Sequence, residues 1–240
     1  MSGTAATTQS PITLPVGTPV AHFGGRAAPS EAKIVVTGAE LNKAIERLAG
    51  QVKAWITELP QIQPPVKVVI APVLTGGEFV AAALLSRLQR LGVHGIEKVP
   101  FTVSTRDGNG RSLEQPTVKF ENTSYAGKHV LVIDDVFDSG ATLEIARQAL
   151  GTLAASFKTL VLCEKSGVAD NSIARPDFVG ITLDPEARKL WLSGAGMDMP
   201  GCPAGEADKA RQEWYIIGYP PIVQDDTGFE LETAPLPSGR

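Results

Sequence analysis

Residues Val130–Leu143, VLVIDDVFDSGATL, join an apolar run, two adjacent carboxylates and a turn of small and hydroxylated residues. Val130 to Ile133 has the composition of a buried strand, and LEIARQAL after the turn that of a helix, so the stretch predicts strand, turn, helix. Asp138, Ser139, Gly140, Ala141 and Thr142 form the turn. Small residues ahead of a helix N-terminus offer N–H donors and a positive dipole to an anion such as a phosphomonoester. Asp134 and Asp135 should repel a bare anion. The two features suit one ligand if it carries hydroxyls and a divalent cation along with phosphate. Hydroxyls donate to carboxylates, and Mg²⁺ takes few carboxylates and many waters. An Asp-Asp pair alone is weak evidence, because strand-end carboxylates often cap the next helix. The complete pattern is far more restrictive.

Working outward, VKVVIAPVLTGG (66–77) is a second β-branched run that breaks into Gly76-Gly77, and EFVAAALLSRLQRL (78–91) has helical composition and spacing. TGAELNKAIERLAGQVKAWI (37–56) opens with Thr37 three residues before Glu40, a capping box, and sets Leu41, Ile45, Leu48, Val52 and Ile56 on one helical face. FKTLVLCEK (157–165) supplies another buried strand. Strands alternating with helices predict an α/β fold with a mostly parallel central sheet flanked by helices, whose ligands sit beyond the carboxyl ends of the strands. Between the two glycine-turn units, STRDGNGRSLEQPTVKFENTSYAGK (104–128) is polar and irregular. It predicts either a lid or a solvated hairpin.

The chain has 240 residues, 43% of them hydrophobic, enough for one sizeable core. A net charge of −4 gives no global basic field, so neither a nucleic-acid partner nor a membrane surface is expected. No run is long enough to span a bilayer. Cys163 in an apolar run and Cys202 beside a proline make neither a disulfide framework nor a metal motif, which fits a reducing, cytoplasmic setting. Residues 1–30 are rich in Thr, Pro, Gly and Ala and read as a disordered or loosely packed arm, and 223–240 as a tail, leaving 31–222 as the domain.

The 130–143 stretch resembles the ribose-5-phosphate motif of type I phosphoribosyltransferases. KIVVTGAELNKAIERLAGQV, VVIAPVLTGGEFVAAALLSRL, FKTLVLCEKSG, RPDFVGITL, LWLSGAGMD and RQEWYIIGY occur in the order, and near the spacing, of the hypoxanthine-guanine branch. The resemblance covers residues 33 to 220. It implies a small hood built from the chain ends above the core sheet, and a homodimer or homotetramer. It implies transfer of 5-phosphoribosyl from PRPP to N9 of hypoxanthine or guanine, with Mg²⁺ required and pyrophosphate released.

The same resemblance assigns residues. Leu74, Thr75, Gly76 and Gly77 would bind the leaving pyrophosphate through main-chain N–H groups, with a non-proline cis bond just before Thr75. Thr75 stands where the family often has lysine, which shifts the burden to metal and to Arg211. Asp134 and Asp135 would contact the ribosyl hydroxyls and metal-bound water, and Asp138 would lie near purine N7 as general base. Ser139, Gly140, Ala141 and Thr142 would hold the 5′-phosphate. Lys165 would donate to the exocyclic O6, since an ammonium only donates and so suits a carbonyl oxygen rather than an amino group. Trp191 would stack on the base, Leu192 would meet its edge through backbone groups, and Asp198 would hold a pyrophosphate-bound metal. Ser104 would open a mobile loop, with Thr105 replacing the usual tyrosine. Rival expectations are a xanthine or pyrimidine preference, or a regulator that senses PRPP or a nucleotide, although neither a helix-turn-helix pattern nor a basic block is present. A kinase-type P-loop is disfavoured because no lysine follows Gly76-Gly77 or Gly140 at the required spacing.

Overall fold

The computed structural model describes residues 16–29, 31–60, 67–106, 112–120, 124–165, 174–197, 207–220, 222–223 and 232–233. β1 (His22–Phe23) and β2 (Arg26–Ala27) form a short hairpin, followed by β3 (Lys33–Val36) and α1 (Gly38–Glu58). The expected capping box opens α1: Glu40 N donates to Thr37 Oγ1 at 3.2 Å, and Thr37 N donates to Glu40 Oε2 at 2.8 Å. Such a cap stabilises a helix by about 1 kcal/mol. Leu41, Ile45, Leu48 and Val52 are buried along one face, with Ile56 packed at its margin.

The middle of the chain builds the central sheet from β4 (Val68–Leu74), α2 (Gly76–Arg90), β5 (Glu97–Lys98), β6 (Phe101–Arg106), β7 (Ser112–Lys119), β8 (His129–Phe137), α3 (Ala141–Leu150), β9 (Ser156–Glu164) and β10 (Phe178–Thr182). Its seven strands run in the order β10-β9-β8-β4-β6-β7, with β5 also paired to β4. Every pairing is parallel except β6 with β7. Within the 104–128 stretch, residues 104–106 and 112–119 therefore pair antiparallel and residues 124–128 form a turn ahead of β8, and the backbones of Ser104 and Thr105 lie in β6 rather than in an irregular loop. Alternate residues of a strand face opposite sides. Leu131 and Ile133 accordingly join the core cluster packed with α1 and α2, while Val130 and Val132 join the one with α3.

β11 (Trp191–Ser193), α4 (Ala207–Arg211) and β12 (Ile216–Tyr219) complete the hood, a three-stranded antiparallel sheet in the order β11-β12-β3. Its strands come from both ends of the domain. β13 (Ile222–Val223) pairs with β14 (Glu232–Thr233). Residues 16–29 differ from the loosely packed arm expected over 1–30. Gly17 N donates to Ile34 O at 2.8 Å and Val20 N to Ala32 O at 2.9 Å, and Phe23 is buried in the hood cluster edge-on to Tyr215. One aromatic among glycines carries no periodic signal, so the sequence pattern could not mark it. Residues 1–15, and all of 224–240 except β14, lie outside the described residues.

Candidate active site

The carboxyl ends of β4, β8 and β9 lie at one edge of the sheet, because these strands are parallel neighbours. β4 ends in the expected cis bond between Leu74 and Thr75, and α2 begins at once with Gly76 and Gly77. The absence of side chains at these glycines permits two close approaches. A Cβ on Gly76 would stand 2.1 Å from Asp135 Oδ2, and one on Gly77 would stand 2.2 Å from Ile133 O. The start of α2 is thus pressed against β8 at its acidic pair.

Asp134 and Asp135 sit near the end of β8; as neighbours on a strand their Cβ atoms start from opposite faces, yet their carboxyl groups interact. Asp134 is buried at 7% exposure, and its Oδ1 accepts from Asp135 N at 3.0 Å. Burial first, and the neighbouring Asp135 charge second, push its carboxyl well above the usual carboxylate range. A carboxyl raised on folding favours the folded state in its protonated form. Its contribution is complete below the unfolded value and is lost as pH rises toward the folded one. Asp134→Asn keeps the acceptor and removes the titration. As pH rises above about 4, its melting temperature is therefore expected to decline less than that of the unaltered protein. Parallel melting profiles for the two proteins would contradict that assignment.

Beyond β8, Asp138 and Ser139 are exposed, and Gly140 closes the turn at φ +83°, a conformation that favours glycine. Gly140 caps α3 with no side-chain bond; Ala141 N donates to Ser139 Oγ at 3.4 Å, and Thr142 is half-buried beside them. Lys165 follows β9, its backbone N donating to Phe137 O at 2.9 Å and its Nζ reaching Asp138 Oδ2 at 3.3 Å. The Lys165 side chain is only 11% exposed, against 53% for Asp138. An ammonium donor and a carboxylate acceptor are therefore presented side by side beyond the strand ends.

The hood contributes Trp191, half-buried against its own cluster and paired with Tyr219, and Leu192, buried and paired with Gly218. Arg211 ends α4, and its carbonyl accepts from Gly196 N at 2.9 Å. Asp198 lies outside the described residues, as do the side chains of Ser104 and Thr105. The described residues bring together Gly76, Gly77, Asp134, Asp135, Asp138, Ser139, Gly140, Ala141, Thr142 and Lys165. Glu164 was not foreseen. It is a buried carboxylate beside Lys165 that accepts from Thr182 Oγ1 at 3.4 Å and pairs with Arg175 at 3.5 Å. An acid closing the apolar run VLCE is the signal that could have marked it.

No group of three or more His, Cys, Asp or Glu side chains forms a metal cage among the described residues. The Asp134–Asp135 pair could still hold Mg²⁺, whose charge would favour ionisation of the buried Asp134; the ion keeps most of its waters and takes other ligands from substrate phosphates. A separate cleft of about 690 Å³, floored by Ile34, Val36, Ala44 and Leu183, is lined by none of the residues assigned to the chemistry. Among the described residues no helix is long and apolar enough to cross a membrane.

Comparison with known proteins agrees with this fold. The chain is 31% identical over 153 residues to "Bifunctional protein PyrR" of Citrifermentans bemidjiense, covering 61% of this chain and 81% of that protein, and 30% identical over 154 residues to the protein of the same name from Geobacter sp.. Among solved structures, a hypoxanthine phosphoribosyltransferase of Trypanosoma cruzi superposes with a TM-score of 0.61 at 22% identity, covering 78% of this chain and 96% of that one. One from Staphylococcus aureus does so at 0.59 and 19%, covering 76% and 88%. At such identities the structural likeness establishes the shared fold. Residues 34–184, which carry both glycine turns, the acidic pair and Lys165, match the phosphoribosyl transferase domain, and the chain belongs to that family.

Proposed function

We propose that this protein transfers the 5-phosphoribosyl group of PRPP to N9 of hypoxanthine or guanine, releasing pyrophosphate in a purine-salvage reaction. The pairing of Lys165 Nζ with Asp138 Oδ2 at 3.3 Å supports this reading most directly. A 6-oxopurine carries an oxygen acceptor at C6 beside an N–H at N7. Lys165 would donate to the first and Asp138 accept from the second. An adenine amino group would leave the ammonium without an acceptor.

In the displacement, N9 forms a bond to C1′ as the bond from C1′ to the pyrophosphate oxygen breaks, and pyrophosphate leaves with the electron pair. Asp138 takes the N7 proton. Ser139, Thr142 and the N–H groups opening α3 hold the 5′-phosphate, so the sugar is fixed while the base is held in line. Leu74, Thr75, Gly76 and Gly77 and the hood's Arg211 receive the leaving pyrophosphate. Asp134, Asp135 and Asp198 would hold Mg²⁺, whose contribution is to neutralise charge on the departing group. Trp191 and the Leu192 backbone cover the base, and the β6–β7 hairpin, whose first strand carries Ser104 and Thr105, serves as a lid over the site. The unpaired, buried Cys163 fits a cytoplasmic enzyme, and we take it to work as a homodimer or homotetramer.

The curated relatives bear another name than the structural neighbours, and this favours a second reading in which the base is xanthine or a pyrimidine, or in which binding of PRPP or nucleotide serves a regulatory role. A competition assay separates these. Purified protein with PRPP, Mg²⁺ and equimolar hypoxanthine, guanine, xanthine and uracil is expected to yield IMP and GMP first. Dominant formation of another nucleotide would replace the base assignment, and PRPP binding without turnover would support the regulator.

A further inference from the structure

We propose that Trp214 is a positioning residue for PRPP, setting how closely the hood meets the Gly76-Gly77 turn. The inference rests on the phosphoribosyl-transfer reading and adds to it a residue that the resemblance does not assign.

Trp214 lies three residues beyond Arg211, half-buried, with its ring between two groups of α2. The Phe79 ring is 5.0 Å away at an interplanar angle of 49°, and the Arg87 guanidinium is 5.5 Å from the indole centroid. Arg87 is fixed from α1, donating to Asn42 Oδ1 at 2.8 Å and pairing with Glu46 at 3.3 Å. A cation over an indole face, together with a tilted aromatic neighbour, is directional and contributes on the order of 1 kcal/mol for each contact.

The segment that Trp214 anchors is one piece with the turn before Asp198. Ala195 N donates to Glu213 O at 3.0 Å, and Gly196 N donates to Arg211 O at 2.9 Å. That piece touches the start of α2 directly. A Cβ on Gly196 would stand 2.3 Å from Gly76 O and 3.2 Å from Phe79 Cβ. Gly76 and Arg211, both assigned to the pyrophosphate, thus keep their spacing through Gly196 at one end and Trp214 at the other. Asp138 and Lys165, assigned to the base, follow the ends of β8 and β9 and take no part in this contact. Trp191 and Leu192, the hood residues assigned to the base, are held by their own pairing with Tyr219 and Gly218, so loosening Trp214 should disturb the PRPP side of the site more than the base side.

The test compares unaltered protein with Trp214→Ala, Trp214→Phe and Arg87→Met, using calorimetric Kd for PRPP with Mg²⁺ and KM for hypoxanthine at saturating PRPP. Trp214→Ala is expected to weaken PRPP binding by about tenfold. The hypoxanthine KM should move by less than about twofold. Trp214→Phe should recover most of the loss, and Arg87→Met, which keeps the aliphatic stem over the ring, should show a smaller loss of the same kind. If Trp214→Ala does not fold, Arg87→Met and Trp214→Phe carry the comparison. Unchanged PRPP affinity in these variants, or equal losses for PRPP and base, would overturn the inference alone. Failure of the unaltered protein to bind PRPP would overturn the phosphoribosyl reading and this inference with it.

Discussion

Asp138→Asn is expected to lower kcat for nucleotide formation by about two to four orders of magnitude, the usual contribution of a positioned proton acceptor, with little change in melting temperature. The two effects separate because Asp138 contributes little to the fold. Its side chain is 53% exposed in the turn after β8, and its ion pair is with Lys165 at 3.3 Å. With the carboxylate open to solvent, such a pair is screened and stabilises by about 1 kcal/mol or less. Asparagine preserves the size and an oxygen that still accepts from Lys165 Nζ, so the half-buried ammonium is not left without a partner. What the amide cannot do is take the N7 proton as N9 attacks. PRPP affinity, set by the adjoining phosphate turn and acidic pair, should stay within about threefold of the unaltered value. Turnover within a few-fold of the unaltered protein would remove Asp138 from the reaction and leave the base contact as its only role.

Much of this arrangement was legible before the fold was known, and the reason differs from residue to residue. The capping box at Thr37 and Glu40 and the runs that became β4, β8 and β9 are local patterns, readable over one helical turn or one strand. The turn from Asp138 to Thr142 is local too. The meeting of Lys165 with Asp138 is not. Neither strand alone states that β8 and β9 are neighbours, and the resemblance assigned the two residues only separately, Lys165 to O6 and Asp138 near N7 of the base. The hood escaped the pattern reading because β3, β11 and β12 are three or four residues long, too short for an alternation to show. Phe23 and Trp214 escaped it because their partners lie more than a hundred residues away: Tyr215 in one case, Phe79 and Arg87 in the other. The opposite strand faces from which Asp134 and Asp135 start follow from strand geometry once β8 is known to extend through Phe137. The sequence pattern had ended the strand at Ile133, which hid the difference between a buried acid and a half-exposed one.

The two glycines at the start of α2 should respond to alanine in different ways, because each approaches a different kind of neighbour. In a helix, glycine-to-alanine replacement by itself favours folding by about 1 kcal/mol. A methyl on Gly77 would meet the carbonyl oxygen of Ile133 at 2.2 Å and its carbon at 3.0 Å, both backbone atoms of a strand buried at the centre of the sheet. That backbone cannot yield without breaking its registers with β4 and β9. Gly77→Ala should therefore reverse the propensity gain and destabilise by about 3 kcal/mol, the upper end for overpacking. In a chain of this size that lowers the melting temperature by about 6–12 °C. A methyl on Gly76 would instead meet the Asp135 carboxylate, with Oδ2 at 2.1 Å and Cγ at 2.5 Å. A side chain can swing away, so Gly76→Ala should melt within about 2 °C of the unaltered protein. The displaced carboxylate, however, is one of the two assigned to the ribosyl hydroxyls and Mg²⁺, and its movement should weaken PRPP binding by about a hundredfold. Melting curves and PRPP titrations of the two variants check the pair together. Equal melting temperatures would mean that Ile133 is not the barrier the geometry implies, and undiminished PRPP affinity in Gly76→Ala would detach Asp135 from the sugar.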